Sequence, residues 1–176
     1  MKKDEERDTI NKAISKTNEI RLYYPAVVFG REKESLAIRD FIRIMEPKHK
    51  NFKFEEAGLL LLEEHPFLGG SIDGKITCDC HGSTILEIKC AYSIREQSVK
   101  THGRQLQYLD ENLGLKRTHT YFYQVQFYMG LYQLQSCYFC VWTPQDVHII
   151  EIPFEVVFWR ELKEDLCNYY YNHYLK

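Results

Sequence analysis

The sequence lacks the features that mark membrane, secreted and repeat proteins. No apolar run among its 176 residues approaches the roughly 20 that a membrane-spanning helix needs. Residues 2–8 are all charged, unlike the apolar run and small residues of a secretory signal. Internal repeats, low-complexity tracts and obvious linkers are also missing. With 44% hydrophobic residues to fill one core, we expect a single intracellular domain, nuclear or cytoplasmic, without a membrane partner.

The sequence also lacks an excess of positive charge. Its formal net charge is −2, which argues against binding nucleic acid through bulk electrostatics, so any such binding needs a local patch. Residues 89–119 carry six basic and three acidic residues, a local charge of +3, with His102 and His119 as further donors. The basic residues are Lys89, Arg95, Lys100, Arg104, Lys116 and Arg117. A DNA-contacting patch and an ordinary solvated loop are both consistent with this segment.

Six cysteines do not require disulfides in a chain of this length, because a sizeable core stabilises it and an intracellular setting keeps thiols reduced. We therefore favour free thiols. Cys78-Asp79-Cys80-His81 suggests zinc, with Cys137 and Cys140 as a second half. The adjacent Cys-x-Cys-His lacks the gap of two to four residues between typical zinc ligands, so ordinary hairpin thiols are the preferred interpretation.

Hydrophobic periodicity predicts helices near the start of the chain and short strands after them. Residues 4–19 fit a short amphipathic helix, and residues 31–45 fit a helix that Pro47 ends. Strands are predicted at 52–54, 59–62, 71–78 and 84–90, with turn residues at 63–66, 69–70 and 81–83. The last two strands form a hairpin that carries Asp73 and Glu87.

The second half continues with an irregular surface segment over residues 91–119, with a helical piece near 105–112. A helix is predicted for 121–135 from Phe122, Val125, Met129 and Tyr132, which lie three or four residues apart. Strands at 137–142 and 147–152 flank a turn, and a helix over 155–174 closes the chain. The tyrosines of that last helix are expected to pack rather than to stack on bases. This order indicates a mixed α/β (α+β) fold.

The hairpin carries residues suited to metal-dependent hydrolysis. Glu87 and Lys89 are two apart on a strand and share one face, while Asp73 precedes Gly74 at a bend where the backbone can open. Two carboxylates and the Ile88 carbonyl are oxygen ligands of the kind that Mg²⁺ prefers. Bound magnesium could activate water and neutralise a phosphate, with Lys89 positioning both. Each motif alone is common in unrelated proteins, but here they lie fourteen residues apart in one hairpin, between helices that bear Glu34 and Gln124.

Four segments together resemble a known nuclease family. They are Gly-Gly-Ser-Ile-Asp-Gly (69–74), Leu-Glu-Ile-Lys-Cys (86–90), Tyr-Gln-Val-Gln (123–126) and Val-Trp-Thr-Pro (141–144). Their order and spacing are similar to the YqaJ-type viral recombinase group, which includes phage lambda exonuclease, in the PD-(D/E)XK superfamily. The resemblance runs from about Gly30 to the closing helix and implies a restriction-endonuclease-like core, a central mixed sheet flanked by helices. Iron–sulfur nucleases of the superfamily use a cysteine far upstream of these motifs. No cysteine precedes Cys78 in this sequence, so an iron–sulfur cluster is not expected.

The resemblance also implies roles for individual residues. Asp73, Glu87 and the Ile88 carbonyl would bind Mg²⁺, with Mn²⁺ as a substitute. The catalytic set would be Glu34, Asp73, Glu87, Lys89 and Gln124, while Gln126 would point elsewhere on its helix. The implied activity is exonucleolytic digestion of duplex DNA. A structure-specific endonuclease of the same fold and an inactive DNA- or protein-binding module are the alternatives.

Two departures from the family pattern matter. The longer N-terminal region that engages the DNA end, with its Arg and its Thr-Ala-Ser-like stretch, is not found in residues 1–29, and Ile72 replaces the usual proline. We expect one nuclease domain over residues 1–176, with 1–29 as an N-terminal helical segment, complete or truncated, and 30–176 as the core. DNA is the expected partner. Family likeness adds a homo-oligomer and a recombination partner protein as further expectations.

Overall fold

The computed structural model describes residues 24–174. The elements follow one another as α1 (Pro25–Met45), β1 (Lys53–Glu55), β2 (Leu60–Leu62), β3 (His65–Gly70), β4 (Gly74–Cys78), β5 (Gly82–Cys90), α2 (Val99–His102), α3 (Thr120–Tyr132), β6 (Ser136–Trp142), β7 (Val147–Pro153) and α4 (Val156–Tyr174). Single turns of 3-10 helix occur at Glu46–Lys48, Tyr92–Ile94 and Gly103–Gln105.

Five strands form one mixed sheet in the order β1-β4-β5-β6-β7. Strands β5 and β6 are parallel, whereas the other neighbouring pairs are antiparallel. A parallel pair needs a long crossover, and residues 91–135 with α3 provide it. Strands β2 and β3 form a separate hairpin. The predicted mixed α/β fold, the β4–β5 hairpin and the β6–β7 pair are therefore confirmed.

Helix α1 covers one face of the sheet. Ala37, Phe41 and Met45 recur every four residues and are buried against β5 and its neighbours, as the helical period requires. The predicted helix over 31–45 is confirmed, but it begins earlier, at Pro25, since proline fits the first turn, where its missing N–H leaves no bond unmade. The helix predicted for residues 4–19 lies outside the described residues.

The other face of the sheet is covered by α3 and by the segment between β5 and α3. The segment buries Ile94, Val99, Leu106 and Leu109 in the same cluster as α3. The prediction of a surface excursion was therefore wrong, because these apolar residues follow neither a helical nor a strand period. The helical piece expected near 105–112 is also wrong, since the short helix α2 ends at His102.

Strand β3 includes residues that were predicted to form turns. Its residues include Pro66 and the Gly69-Gly70 pair, and only Glu63 and Glu64 remain in the turn before it. Proline breaks strands in sheet interiors because it cannot donate a hydrogen bond. In a two-stranded hairpin every strand has a free edge, so Pro66 is tolerated there.

The packing expected for the tyrosines of helix α4 holds in full only for Tyr170, since Tyr169, Tyr171 and Tyr174 are exposed. The Tyr170 ring stacks on Phe67 of β3 at a centroid distance of 3.8 Å, and Tyr171 meets the same ring edge-on. These contacts join α4 to the β2–β3 hairpin. Within residues 24–174, none of the helices combines the length and apolar character needed to cross a membrane.

Candidate active site

The hairpin of β4 and β5 brings Asp73 beside the second half of β5. Gly74 pairs with Leu86, so the antiparallel register places Asp73, one residue before β4, opposite Glu87. The Asp73 Oδ2 atom accepts a hydrogen bond of 2.6 Å from the Ile88 backbone N–H. In a strand the N–H and C=O of one residue point to the same edge, so the Ile88 carbonyl also faces Asp73. This carboxylate and this carbonyl therefore lie at one edge of β5.

Glycine is required at position 74 for a reason that differs from the expected one. A Cβ atom there would collide with the Phe54 ring of β1. The bend lies at Asp73 itself, and Gly74 does not have a positive φ. Close approach of Phe54, rather than an opening of the backbone, therefore explains the glycine.

Glu87 and Lys89 share one face of β5, as the strand period predicts. The Lys89 Nζ atom donates a 2.6 Å hydrogen bond to Glu87 Oε1, and both side chains are largely buried, 19% and 3% exposed. The second oxygen, Glu87 Oε2, is buried without a hydrogen-bond partner, a state shared among residues 24–174 only by His65 Nδ1. An unpartnered buried carboxylate oxygen is costly in apolar surroundings, and a bound cation would offset that cost.

Helix α3 holds Lys89 from the other side. Lys89 Nζ donates to Gln124 Oε1 at 3.1 Å, and Gln124 Nε2 donates to the Tyr128 hydroxyl at 3.0 Å. The ammonium also lies 4.3 Å from the centre of the Tyr121 ring. Tyr121 and Tyr128 were missed from the sequence, although their positions three before and four after Gln124 put them on its helix face.

Gln126 points away from the site, as predicted from the helical period. It is completely buried; its Nε2 donates to the Pro153 carbonyl and its Oε1 accepts from the Glu155 N–H. Its amide therefore holds the chain between β7 and α4 and has no contact with Lys89.

Glu34 reaches the site from α1. It lines a cavity of about 260 Å³ together with Asp73 and Glu56, and part of the Glu34 side chain is exposed to solvent. Nothing in the sequence distinguished Glu56. A second cavity, of about 350 Å³, adjoins Lys89 and is lined by the rings of Tyr92, Tyr108 and Tyr121. Ile88 and Lys89 line the aromatic cavity, whereas the acidic cavity is lined by Asp73, which accepts the hydrogen bond from Ile88.

Burial disfavours the ionised form of the acidic side chains of the site. Burial raises the pKa of Asp73, despite the hydrogen bond from Ile88 that opposes the change. Burial also raises the pKa of Glu34, with the Asp73 charge adding to it, and raises the pKa of Glu87 to about 7. For Lys89, burial alone would lower the pKa, but the Glu87 carboxylate raises it overall. Lys89 therefore stays charged, and a further cation would stabilise the ionised form of the acids.

The basic residues of the segment 89–119 do not form one uncommitted patch. Arg117 makes an ion pair with both carboxylate oxygens of Glu155, and Arg95 stacks on the Tyr92 ring. Backbone carbonyls accept from Arg104 and Lys116. These bonds brace the segment, while Lys100 is exposed on α2 and makes no side-chain contact with that network.

The chain matches known proteins in sequence pattern and in fold. A family model described as the YqaJ-like viral recombinase domain matches residues 2–133. The solved alkaline exonuclease LHK-Exo of Laribacter hongkongensis superposes with a TM-score of 0.62 at 19% identity, covering 83% of this chain and 67% of that one. Its complex with dAMP gives the same TM-score and coverage at 20% identity. The structure of SSO0001 covers 93% of this chain and 70% of its own, with a TM-score of 0.54 and 18% identity. No curated protein matches the sequence significantly.

Proposed function

The chain belongs to the YqaJ-like viral recombinase domain family, and on that basis we propose that it is a magnesium-dependent nuclease that digests duplex DNA from its ends. Family and fold support a nuclease, and the proposal adds the metal, the substrate and the mode of attack. LHK-Exo is named an alkaline exonuclease, which favours attack at ends.

The observation that carries the proposal is the Glu87 carboxylate. One oxygen binds Lys89 and the other is buried without a partner, and the Asp73 charge acts on the same carboxyl group. A purely structural domain has no use for such an arrangement, since clustered acids repel one another and lose hydration. Oxygen ligands in this number suit Mg²⁺, and Mn²⁺ would substitute for it.

Each residue has a separate task in this scheme. Asp73, Glu87 and the Ile88 carbonyl would hold the metal, which supplies water activation and neutralises charge on the scissile phosphate. Glu34 lines the acidic cavity together with Asp73, where it can accept a hydrogen bond from an approaching water molecule.

Lys89 acts as a positioning cation rather than as a base. Its pKa is raised, so the ammonium keeps its proton at neutral pH and can donate a hydrogen bond to water or to a phosphate oxygen. Gln124 and Tyr121 hold that ammonium in place, and Tyr128 holds Gln124. Removal of the helix-borne partners should therefore loosen Lys89 without removing any metal ligand.

The aromatic cavity offers a place for the nucleotide next to the scissile bond. Tyr92, Tyr108 and Tyr121 line it directly beside Lys89, and aromatic rings stack on bases of any sequence. Lys100 and the other basic residues of the segment 89–119 are the candidates for contacts with the DNA backbone. Arg95, Arg104, Lys116 and Arg117 already make contacts within the protein, so Lys100 is the first of these residues to test.

The test uses linear duplex labelled at the 5′ or the 3′ end and a covalently closed circle of the same sequence. With Mg²⁺ we expect label loss from one end of the linear duplex and no attack on the circle. Asp73→Asn should reduce the rate by at least about 10²-fold, because it removes a ligand charge while an amide oxygen can still accept from Ile88. Glu161→Gln, an exposed acid on α4, is the matched control.

The outcomes separate the rival functions. Cleavage of the circle would replace the exonuclease with an endonuclease of the same fold. DNA binding without metal-dependent cleavage would leave an inactive binding module, and equal activity of Asp73→Asn and Glu161→Gln would reject the assigned site.

A further inference from the structure

Four metal-binding side chains meet at the opposite end of β4. His49 follows the 3-10 turn after α1, Cys78 ends β4, and Cys80 and His81 belong to the turn that leads into β5. One nitrogen or sulfur atom of each lies within 4.8 Å of the corresponding atom of every other. None of the four has a role in the proposed nuclease reaction.

The distances between these atoms match a tetrahedral zinc site. Zinc at about 2.3 Å from sulfur and about 2.05 Å from nitrogen sets S–S, S–N and N–N separations of about 3.8, 3.6 and 3.3 Å. The Cys78 and Cys80 Sγ atoms are 3.4 Å apart, and the His49 and His81 Nδ1 atoms are 3.2 Å apart. The Sγ–Nδ1 distances are 3.3 Å for Cys80–His49, 3.5 Å for Cys78–His49 and 3.8 Å for Cys78–His81.

The chemistry of the four groups also favours a cation. Two Nδ1 atoms 3.2 Å apart can share at most one proton between neutral rings, and thiols are weak donors. The lone pairs of the two sulfur and two nitrogen atoms therefore point toward one another without strong hydrogen-bond donors between them. Two thiolates and two neutral imidazoles match the ligand set and charge that Zn²⁺ prefers, whereas Mg²⁺ prefers oxygen.

The backbone around the cluster is held in place by its own bonds. The Asp79 N–H donates to the Lys50 carbonyl at 2.9 Å, and Asn51 Nδ2 donates to Asp79 Oδ2 at 2.6 Å. Asn51 has a φ of 54°, a left-handed conformation that asparagine tolerates. The segment after α1 and the hairpin turn are thus joined independently of the four side chains.

We propose that His49, Cys78, Cys80 and His81 bind one structural Zn²⁺, which fixes the tip of the β4–β5 hairpin to the end of α1. Four protein ligands leave no open position for a substrate, which is typical of structural zinc. Cys78 is five residues from Asp73, about 16 Å along a strand, so this site is separate from the magnesium site. The zinc would hold α1, which carries Glu34, against the hairpin that carries Asp73 and Glu87.

A zinc site at these residues replaces the ordinary hairpin thiols that the sequence favoured. The Cys-x-Cys-His spacing argued against zinc because it lacks the gap of two to four residues between typical zinc ligands. The missing ligand is His49, 29 residues before Cys78, rather than Cys137 and Cys140, which are buried within β6.

Metal content of the full chain tests the proposal. The protein is produced with zinc available, purified without chelators, and analysed by inductively coupled plasma mass spectrometry. We expect about one zinc per chain, retained in Asp73→Asn and in the control Cys167→Ser, a cysteine of α4 outside the cluster. Cys80→Ser and His81→Ala should lower zinc content about tenfold or more; both positions are exposed, so neither substitution opens the core.

A second measurement does not depend on any variant. Replacement of zinc by Co²⁺ should give the visible absorption and the thiolate-to-metal charge-transfer band of a tetrahedral site with sulfur ligands. Absence of zinc and of that spectrum, zinc that persists in both Cys80→Ser and His81→Ala, or a Cys78–Cys80 disulfide found by mass spectrometry would each overturn the proposal.

Discussion

Replacement of Glu87 by glutamine should remove a large pH dependence from the stability of the magnesium-free protein. The carboxyl has an ordinary pKa of 4.5 in the unfolded chain and about 7 in the folded one, where burial disfavours its charge. Below 4.5 both states hold the proton. Between 4.5 and about 7 only the folded state holds it, so folding stability falls as pH rises and levels off above about 7.

The structure sets the size of this effect. The displacement from 4.5 to about 7, at about 1.4 kcal/mol for each pKa unit, corresponds to about 3 kcal/mol. Glu87→Gln keeps the shape but cannot ionise. The free energy of unfolding of the parent protein, minus that of Glu87→Gln, should therefore decrease by about 3 kcal/mol from pH 4.5 to pH 7 and above.

Urea unfolding across this pH range measures the difference. Magnesium is removed by dialysis rather than by EDTA, so that zinc at the cluster of His49, Cys78, Cys80 and His81 is not stripped as well. Added Mg²⁺ at alkaline pH should restore the stability of the parent protein, because a ligand that binds only the folded state stabilises that state. It should have little effect on the stability of Glu87→Gln. Glu161→Gln serves as the exposed control.

A difference that does not change with pH would refute the argument that Glu87 is held desolvated. Equal stabilisation of the parent and Glu87→Gln by Mg²⁺ would refute its assignment as a ligand, while leaving the burial argument intact.

Three further predictions concern the surroundings of the site. Gln124→Leu should lower nuclease activity about 10- to 100-fold with little change in the free energy of unfolding, whereas Gln126→Leu should cost about 2 kcal/mol of stability; the opposite pattern would refute both assignments. Gly74→Ala should destabilise by about 1–3 kcal/mol in urea unfolding, and a smaller residue at Phe54 should relieve part of that cost; a neutral Gly74→Ala would reject the steric argument. Asp146→Ala should cost about 1–2 kcal/mol at neutral pH, because the carboxylate accepts from the backbone N–H groups that begin α2. Burial alone would raise the pKa of Asp146, but hydrogen bonds lower it overall, so its contribution is present above the ordinary 3.8 and should disappear as pH falls below it.

The elements whose signals are local could be predicted from the sequence. The four-residue apolar period of α1, the spacing of Phe122, Val125 and Met129 in α3, and the turns of the β4–β5 and β6–β7 pairs all follow from neighbours in the chain. Strand alternation also placed Glu87 and Lys89 on one face, because that property depends only on the two-residue period of a strand. These features needed no knowledge of what packs against them.

Features that depend on contacts between distant residues could not be predicted in this way, because they exist only in the folded chain. The parallel pairing of β5 with β6 brings α3 over β5, and this sets Gln124 against Lys89 across 35 positions of sequence. The buried residues of 91–119 have no regular period. Their place in the core follows only from their packing against α3 and the sheet.

The two ends of β4 illustrate the same limit. At one end, Gly74 looked like a point of backbone freedom, but the Phe54 ring, contributed by β1, is what requires the glycine. At the other end, the close spacing of Cys78, Cys80 and His81 favoured ordinary thiols, but the fold brings His49 beside them. A sequence pattern specifies which side chains a short segment presents, while a ligand or a steric neighbour from elsewhere in the chain is specified only when the whole sheet has formed.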